Sequence, residues 1–225
     1  MFDRLMELPL FRGVGRDAME RTVGAAKFHF LKYMPGEVII RAGQPCTDLA
    51  FIISGTVRIN IDNADERFSI SSSLAAPDAI APDFLLGKVT NYPCTVVAQD
   101  TVSMLLIPKA DFINLLMNEK VFLFNYLNFL SMNAQKSVEG ILAVSTGSLA
   151  ERITFWISAL TQQRSYDIHL DCRRADLSSL FGVTRNQIAA TLEVMREDGL
   201  IEYTPTRIIV PIRSILLDIL YNHAE

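Results

Sequence analysis

Hydrophobic positions change their period twice along the chain. Over residues 1–30 they recur every three or four residues (Leu5, Leu8, Leu10 and Phe11, then Met19, Val23 and Ala26), which predicts helix. Over 31–108 short β-rich runs alternate with turn residues. The runs are Glu37–Ile40, Leu49–Ile53, Val57–Ile61, Phe68–Ile70, Thr95–Val97 and Val102–Ile107; Ser69–Ser73 reads as strand and turn. Pro35-Gly36, Gly43-Gln44-Pro45, Ser54-Gly55 and Asp62-Asn63 punctuate them. Strands spaced in this way predict a sandwich or barrel.

From Lys109 the period is helical again, with a long helix expected from Lys120 to Ser145. Within it Leu123, Leu127, Leu130, Ala134, Ser137, Ile141 and Val144 alternate four- and three-residue steps. Such a heptad seam favours pairing with a second helix. Phe122, Phe124, Phe129 and Val138 form a second stripe that can pack on the helix's own domain, so this helix has two surfaces to cover. Gly147 then breaks it. Ser148-Leu149-Ala150-Glu151 fits a capping box opening a helix through Leu160, which puts a domain boundary at 146–148.

Residues 173–201 carry the most chemistry. Leu177, Leu180 and Phe181 mark a short amphipathic helix, Gly182 a turn, and Thr184 the N-cap of a second helix. Ile188, Leu192 and Met195 are its inward positions, Gly199 its end, and Arg185, Asn186, Gln187 and Thr191 its outward face. Glu202–Val210 reads as two short strands around Thr204-Pro205-Thr206, a wing. A helix-turn-helix needs this arrangement, because its second helix offers hydrogen-bonding side chains to base edges while its amides meet phosphate. Arginine suits guanine, and asparagine or glutamine suits adenine. Arg185, Asn186 and Gln187 are therefore the candidate base readers; Arg173, Arg174, Thr184 and Thr191 are candidates for phosphate.

Composition adjusts this picture. The 225 residues are half hydrophobic and carry a net charge of −4, with 15 Arg and 6 Lys. Residues 148–225 hold 8 Arg against 10 Asp and Glu. A basic footprint must therefore be local, supplied by Arg173, Arg174, Arg185 and Arg207. That acidic balance also supports an alternative, a ligand-binding signalling module whose helix-turn-helix contacts protein. Cys46, Cys94 and Cys172 are scattered, which argues against a zinc ribbon, an iron–sulfur cluster or a disulfide framework and points to a reducing cytoplasm. No metal site is expected. His29, His169 and His223 are read as structural or surface residues. No signal peptide or membrane span is read, and no catalytic motif, so an enzyme is not expected.

Taken together, these residues resemble the cyclic-AMP receptor protein / fumarate–nitrate regulator (CRP/FNR) family of bacterial transcription factors. Pro35-Gly36-Glu37, Gly43 and Ser54-Gly55 look like the turns of its cyclic-nucleotide-binding barrel. Lys109-Ala110-Asp111-Phe112 resembles the entry to its central helices, and 173–201 its helix-turn-helix. The resemblance implies an α+β fold: a β-roll or jelly-roll sensor domain over 1–119, a long dimerisation helix and hinge over 120–147, and a winged helix-turn-helix over 148–225. It further implies a homodimer on double-stranded DNA, with RNA polymerase as a partner.

Two stretches depart from the family pattern. Ala81-Pro82 stands where a ribose-binding Gly-Glu pair would be, and Tyr92-Pro93 where a phosphate-binding Arg-Ser pair would be. An anionic phosphate wants a fixed cation and free amides, and proline supplies neither. The effector pocket is expected at Ile80, Ala81, Pro82, Asp83, Tyr92, Cys94 and Thr95, for a ligand other than cyclic AMP; haem or another small molecule is compatible. In the recognition helix Arg185 matches the family's guanine-reading arginine. Asn186 replaces a common glutamate, and Ala190 stands where a second arginine is common.

Overall fold

A computed structural model describes residues 2–15, 27–62, 67–145 and 147–222. The fold is α+β, in two compact units: residues 1–58 with 75–133, and 59–74 with 134–225.

In the first unit, α1 (Phe2–Glu7) is followed by a 3-10 turn at Pro9–Phe11. The strands are β1 (His29–Tyr33), β2 (Val38–Ile40), β3 (Asp48–Ser54), the start of β4 (Thr56–Asp62), β6 (Asp78–Ile80), β7 (Thr95–Ala98) and β8 (Val102–Pro108). β5 (Phe68–Ala75) lies between β4 and β6 in sequence and, to Leu74, belongs to the second unit. One sheet runs β1-β8-β3-β6, and β2 pairs antiparallel with β7. β3 holds Leu49, Ala50, Phe51 and Ile52 buried in a row, because both of its faces are covered. Between β3 and β4, Gly55 has φ +88°, and a Cβ there would lie 2.5 Å from the Thr101 carbonyl oxygen. Only glycine fits that corner. α2 (Lys109–Asn118) follows, then α3 (Lys120–Ser145), which to Asn133 belongs to this unit. Phe11 packs edge-on against Phe51 and Phe122, with ring centroids at 6.0 and 5.2 Å. The Asn125 amide nitrogen donates to the carbonyls of Leu10 and Arg12, fastening the chain after α1 to α3.

Helix over the whole of 1–30 does not hold. β1 already begins at His29, paired with Leu106 at the edge of the sheet, and a strand partner outweighs local helical spacing there. Met19, Val23 and Ala26 lie outside the described residues.

In the second unit, α4 (Leu149–Leu160) opens with the expected capping box: Ser148 accepts from the Glu151 amide, and the Glu151 carboxylate accepts from the Ser148 amide. β9 (Tyr166–Cys172), α5 (Arg174–Phe181), α6 (Arg185–Glu197), β10 (Glu202–Tyr203), β11 (Arg207–Ile212) and α7 (Arg213–Asn222) complete it. β11 pairs with β10 and β9, and β9 pairs on its other side with β5, Phe68 opposite Cys172 and Ile70 opposite Leu170. Ile70, Ile153, Ile157, Leu177, Phe181, Ile188, Leu192, Met195, Ile208 and Val210 share one core. Trp156 caps it, edge-on to Phe68 and Phe181.

Candidate nucleic-acid interface

Two short helices and a tight corner build the site. Leu177 and Phe181 bury the inner face of α5. At its end Gly182 takes φ +66°, the left-handed conformation that reverses the chain at little cost in glycine. The corner is held twice: the Ser178 hydroxyl donates to the Val183 carbonyl at 2.5 Å, and the Arg152 guanidinium donates to the Phe181 carbonyl at 2.8 Å. α6 then starts at Arg185 and buries Ile188, Leu192 and Met195.

Its N-cap is closed from both sides. The Gln187 amide donates to Thr184 Oγ1 at 3.3 Å, and Gln187 Oε1 accepts from the Thr184 amide and hydroxyl, each at 2.9 Å. Arg185 and Asn186 are exposed and, among the described residues, make no side-chain hydrogen bond or ion pair. Gln187 is exposed but tied to the cap, Thr191 is half-buried, and Ala190 is exposed.

The other candidate cations are engaged. Arg173 grips Asp176, Nε to Oδ2 at 2.8 Å and Nη2 to Oδ1 at 3.2 Å. That hydrogen bond holds the Asp176 carboxyl below its ordinary range. Arg207 pairs with Asp171, and Arg196 with Glu193, whose other oxygen accepts from the Tyr203 hydroxyl at 2.7 Å. Arg174 lies over the Tyr203 ring, 5.4 Å from its centroid. Spacing alone did not reveal these pairs; the acidic balance of the segment was their only trace.

In the first unit, the residues expected to line an effector pocket lie largely out of solvent. Ile80, Ala81, Pro82, Tyr92 and Cys94 are buried, Thr95 is half-buried and Asp83 exposed. The Tyr92 hydroxyl donates to the Asp48 carbonyl at 3.1 Å, and the Tyr126 hydroxyl of α3 to the Pro82 carbonyl at 3.0 Å. Burial, reinforced by Asp83, pushes the Cys94 thiol and the Tyr126 phenol up to about 12. Cys46, which sequence reasoning did not place here, joins them: its thiol donates to the Asp48 carbonyl. Among the described residues no group of three or more His, Cys, Asp or Glu could hold a metal.

Of the heptad positions, Leu123, Leu127 and Ala134 are exposed and Leu130 is half-buried. The side chains of Ser137, Ile141 and Val144 lie outside the described residues. Phe122 and Phe129, of the second stripe, are buried and half-buried; Phe124 and Val138 are exposed. Among the described residues no helix is long and apolar enough to cross a membrane.

Residues 30–119 match the cyclic nucleotide-binding domain, and residues 151–219 the Crp-like helix-turn-helix domain. Among solved structures the chain is similar to the catabolite activator protein of Thermus thermophilus: 17 % identity and TM-score 0.51, over 96 % of this chain and 100 % of that one. It is similar to CLP, the c-di-GMP-responsive global regulator of Xanthomonas campestris: 16 % identity and TM-score 0.51, over 88 % of this chain and 99 % of that one. The sensor domain of the transcriptional regulator DNR from Pseudomonas aeruginosa gives 16 % identity and TM-score 0.52, over 64 % of this chain and 95 % of that one. These likenesses concern the fold. No curated protein matches the chain.

Proposed function

We propose that this chain, which belongs to the CRP/FNR family of DNA-binding transcription regulators, works in the cytoplasm as a homodimer that reads a specific operator and answers to an effector other than cyclic AMP. The observation that carries the reading is the pair Arg185–Asn186, exposed and, among the described residues, unpartnered at the N-terminus of a helix whose opposite face is locked into the core. A donor fork and an amide held at that end of a helix match guanine and adenine edges. Arg173, Arg174, Thr184 and Thr191 are the proposed phosphate contacts. The functional division is a sensor over 1–119, a dimerisation helix and hinge over 120–147, and a DNA-binding domain over 148–225. The exposed Leu123 and Leu127 belong to the proposed dimer seam, with Leu130, Ala134, Ser137, Ile141 and Val144. RNA polymerase is the partner the family implies.

The sensor residues do not fit a cyclic nucleotide. Pro82 and Pro93 offer no amide to a phosphate or ribose. Tyr92, where an Arg-Ser pair would stand, is buried and has its hydroxyl bonded to a carbonyl. Any effector would be a different small molecule, haem among the candidates, held by Ile80, Ala81, Pro82, Asp83, Tyr92, Cys94 and Thr95. To act at all it must bind the DNA-competent state and the other state with different affinities. Denaturing the purified protein and analysing what it releases, by mass and visible absorbance, tests this.

The acid-paired arginines favour a second reading, in which the helix-turn-helix contacts protein. Titrating the full chain against duplex DNA over a series of salt concentrations separates the two. DNA binding weakens steeply with salt as counterions are released, whereas an apolar protein contact does not.

A further inference from the structure

We propose that base reading by α6 is confined to Arg185 and Asn186, and that Gln187 is a positioning residue spent on the helix cap. The operator half-site then carries one adenine read by Asn186 beside the guanine read by Arg185. This rests on the reading of the chain as a DNA-binding regulator and specifies what its recognition helix selects.

The assignment follows from counting donors and acceptors. The Thr184 amide can only donate, so the Gln187 atom 2.9 Å from it must be the carbonyl oxygen, not the amide nitrogen. That oxygen takes a second donor, the Thr184 hydroxyl, also at 2.9 Å. Two donors fill its two lone pairs. A glutamine reads adenine with both ends at once, the nitrogen donating to N7 and the oxygen accepting from N6. With Oε1 filled, Gln187 keeps only a donor, and the two-pronged readout is closed to it. Asn186 is exposed, and among the described residues neither end of its amide is engaged. It therefore keeps the donor–acceptor pair that adenine requires. Ala190, one turn beyond Asn186, is exposed and offers only a methyl group, so no second polar reader follows on that stripe.

The test is selection of binding sites from a randomised duplex library by the full-length chain and three variants. Asn186→Ala should lose about tenfold of its discrimination at one adenine position and keep the guanine preference. Gln187→Glu keeps a capping oxygen and should select the same half-site, whatever it does to overall affinity. Gln187→Leu removes the side-chain half of the cap; it should lower the melting temperature and weaken all sequences alike, with the ranking of bases unchanged. Preferences shifted at one position by Gln187→Leu, or left intact by Asn186→Ala, would overturn the assignment. If the wild-type chain enriches no sequence at all, the DNA-binding reading falls, and this one with it.

Discussion

Arg207 and Asp171 stand opposite each other in the ladder between β11 and β9, and their side chains close a two-pronged ion pair, Nε to Oδ1 at 2.5 Å and Nη2 to Oδ2 at 3.0 Å. The carboxylate cancels a cation that DNA would otherwise attract. Asp171→Asn should therefore tighten DNA binding and steepen the fall of log affinity with log salt by about 0.9, the contribution of one added phosphate contact. Affinities measured over a series of salt concentrations check this; an unchanged slope would place Arg207 off the DNA.

Among the described residues Arg185 has no such competitor. Arg185→Ala should cost roughly 1–3 kcal/mol of operator affinity and flatten the preference for guanine at one position. Fluorescence anisotropy with labelled operator measures both, and an unchanged affinity would remove Arg185 from the interface.

The Thr184 hydroxyl also stabilises α6 in the absence of DNA. Thr184→Ala should lower folding stability by about 1 kcal/mol, whereas Thr184→Ser, which keeps an acceptor at the N-cap, should stay near wild type. Urea unfolding followed by circular dichroism tells the two apart.

Leu127 and Leu123 expose apolar surface along one stripe of α3, 47 % and 37 % accessible. Leu127→Asp should dissociate the proposed dimer and reduce DNA affinity, since two half-sites bound by separate chains lose their linkage. Sedimentation velocity would show a single species near 25 kDa. A wild-type chain already monomeric at the same concentration would remove the dimer seam altogether.

Alkaline pH should destabilise the fold. Burial raises the Cys94 and Cys172 thiols from 9.0 to about 12. Below pH 9 both are neutral, folded or unfolded, and their contribution is fully present. Between about pH 9 and 12 the unfolded chain gives up protons that the folded chain keeps, and stability falls as pH rises. The urea midpoint should drop steadily from pH 9 to 11, and Cys94→Ala should shallow that drop; a midpoint independent of pH would contradict it.

The segments most legible in the sequence were those whose structure is set locally. Lys120–Ser145 has one long helical period, Ser148 and Glu151 mark their own cap, and Gly182 and Thr184 place the corner and start of the second helix. What escaped was set by distant partners. β1 has exposed residues on both faces and therefore no alternation to find; only its pairing with β8 makes it a strand. β9 carries the period-two run Ile168, Leu170, Cys172, but so short a run lying between helices does not by itself distinguish a strand. The filling of Gln187 Oε1 could have been inferred from Thr184 three residues earlier, since glutamine completes a capping box as glutamate does. The salt bridges of Arg173 and Arg207 depend on side-chain placement, and only the second needs the β11–β9 ladder to form.

The pairing of β5 with β9 makes the second unit discontinuous along the chain. A fragment starting at residue 148 would leave behind Phe68 and Ile70, which pack in its core, and would bare one whole edge of β9. An unpaired strand edge beside a depleted core invites strand exchange between copies. Excising the winged segment at the boundary that its sequence suggests would therefore yield an aggregating piece, and a soluble DNA-binding half would have to carry residues 59–74 grafted back beside β9.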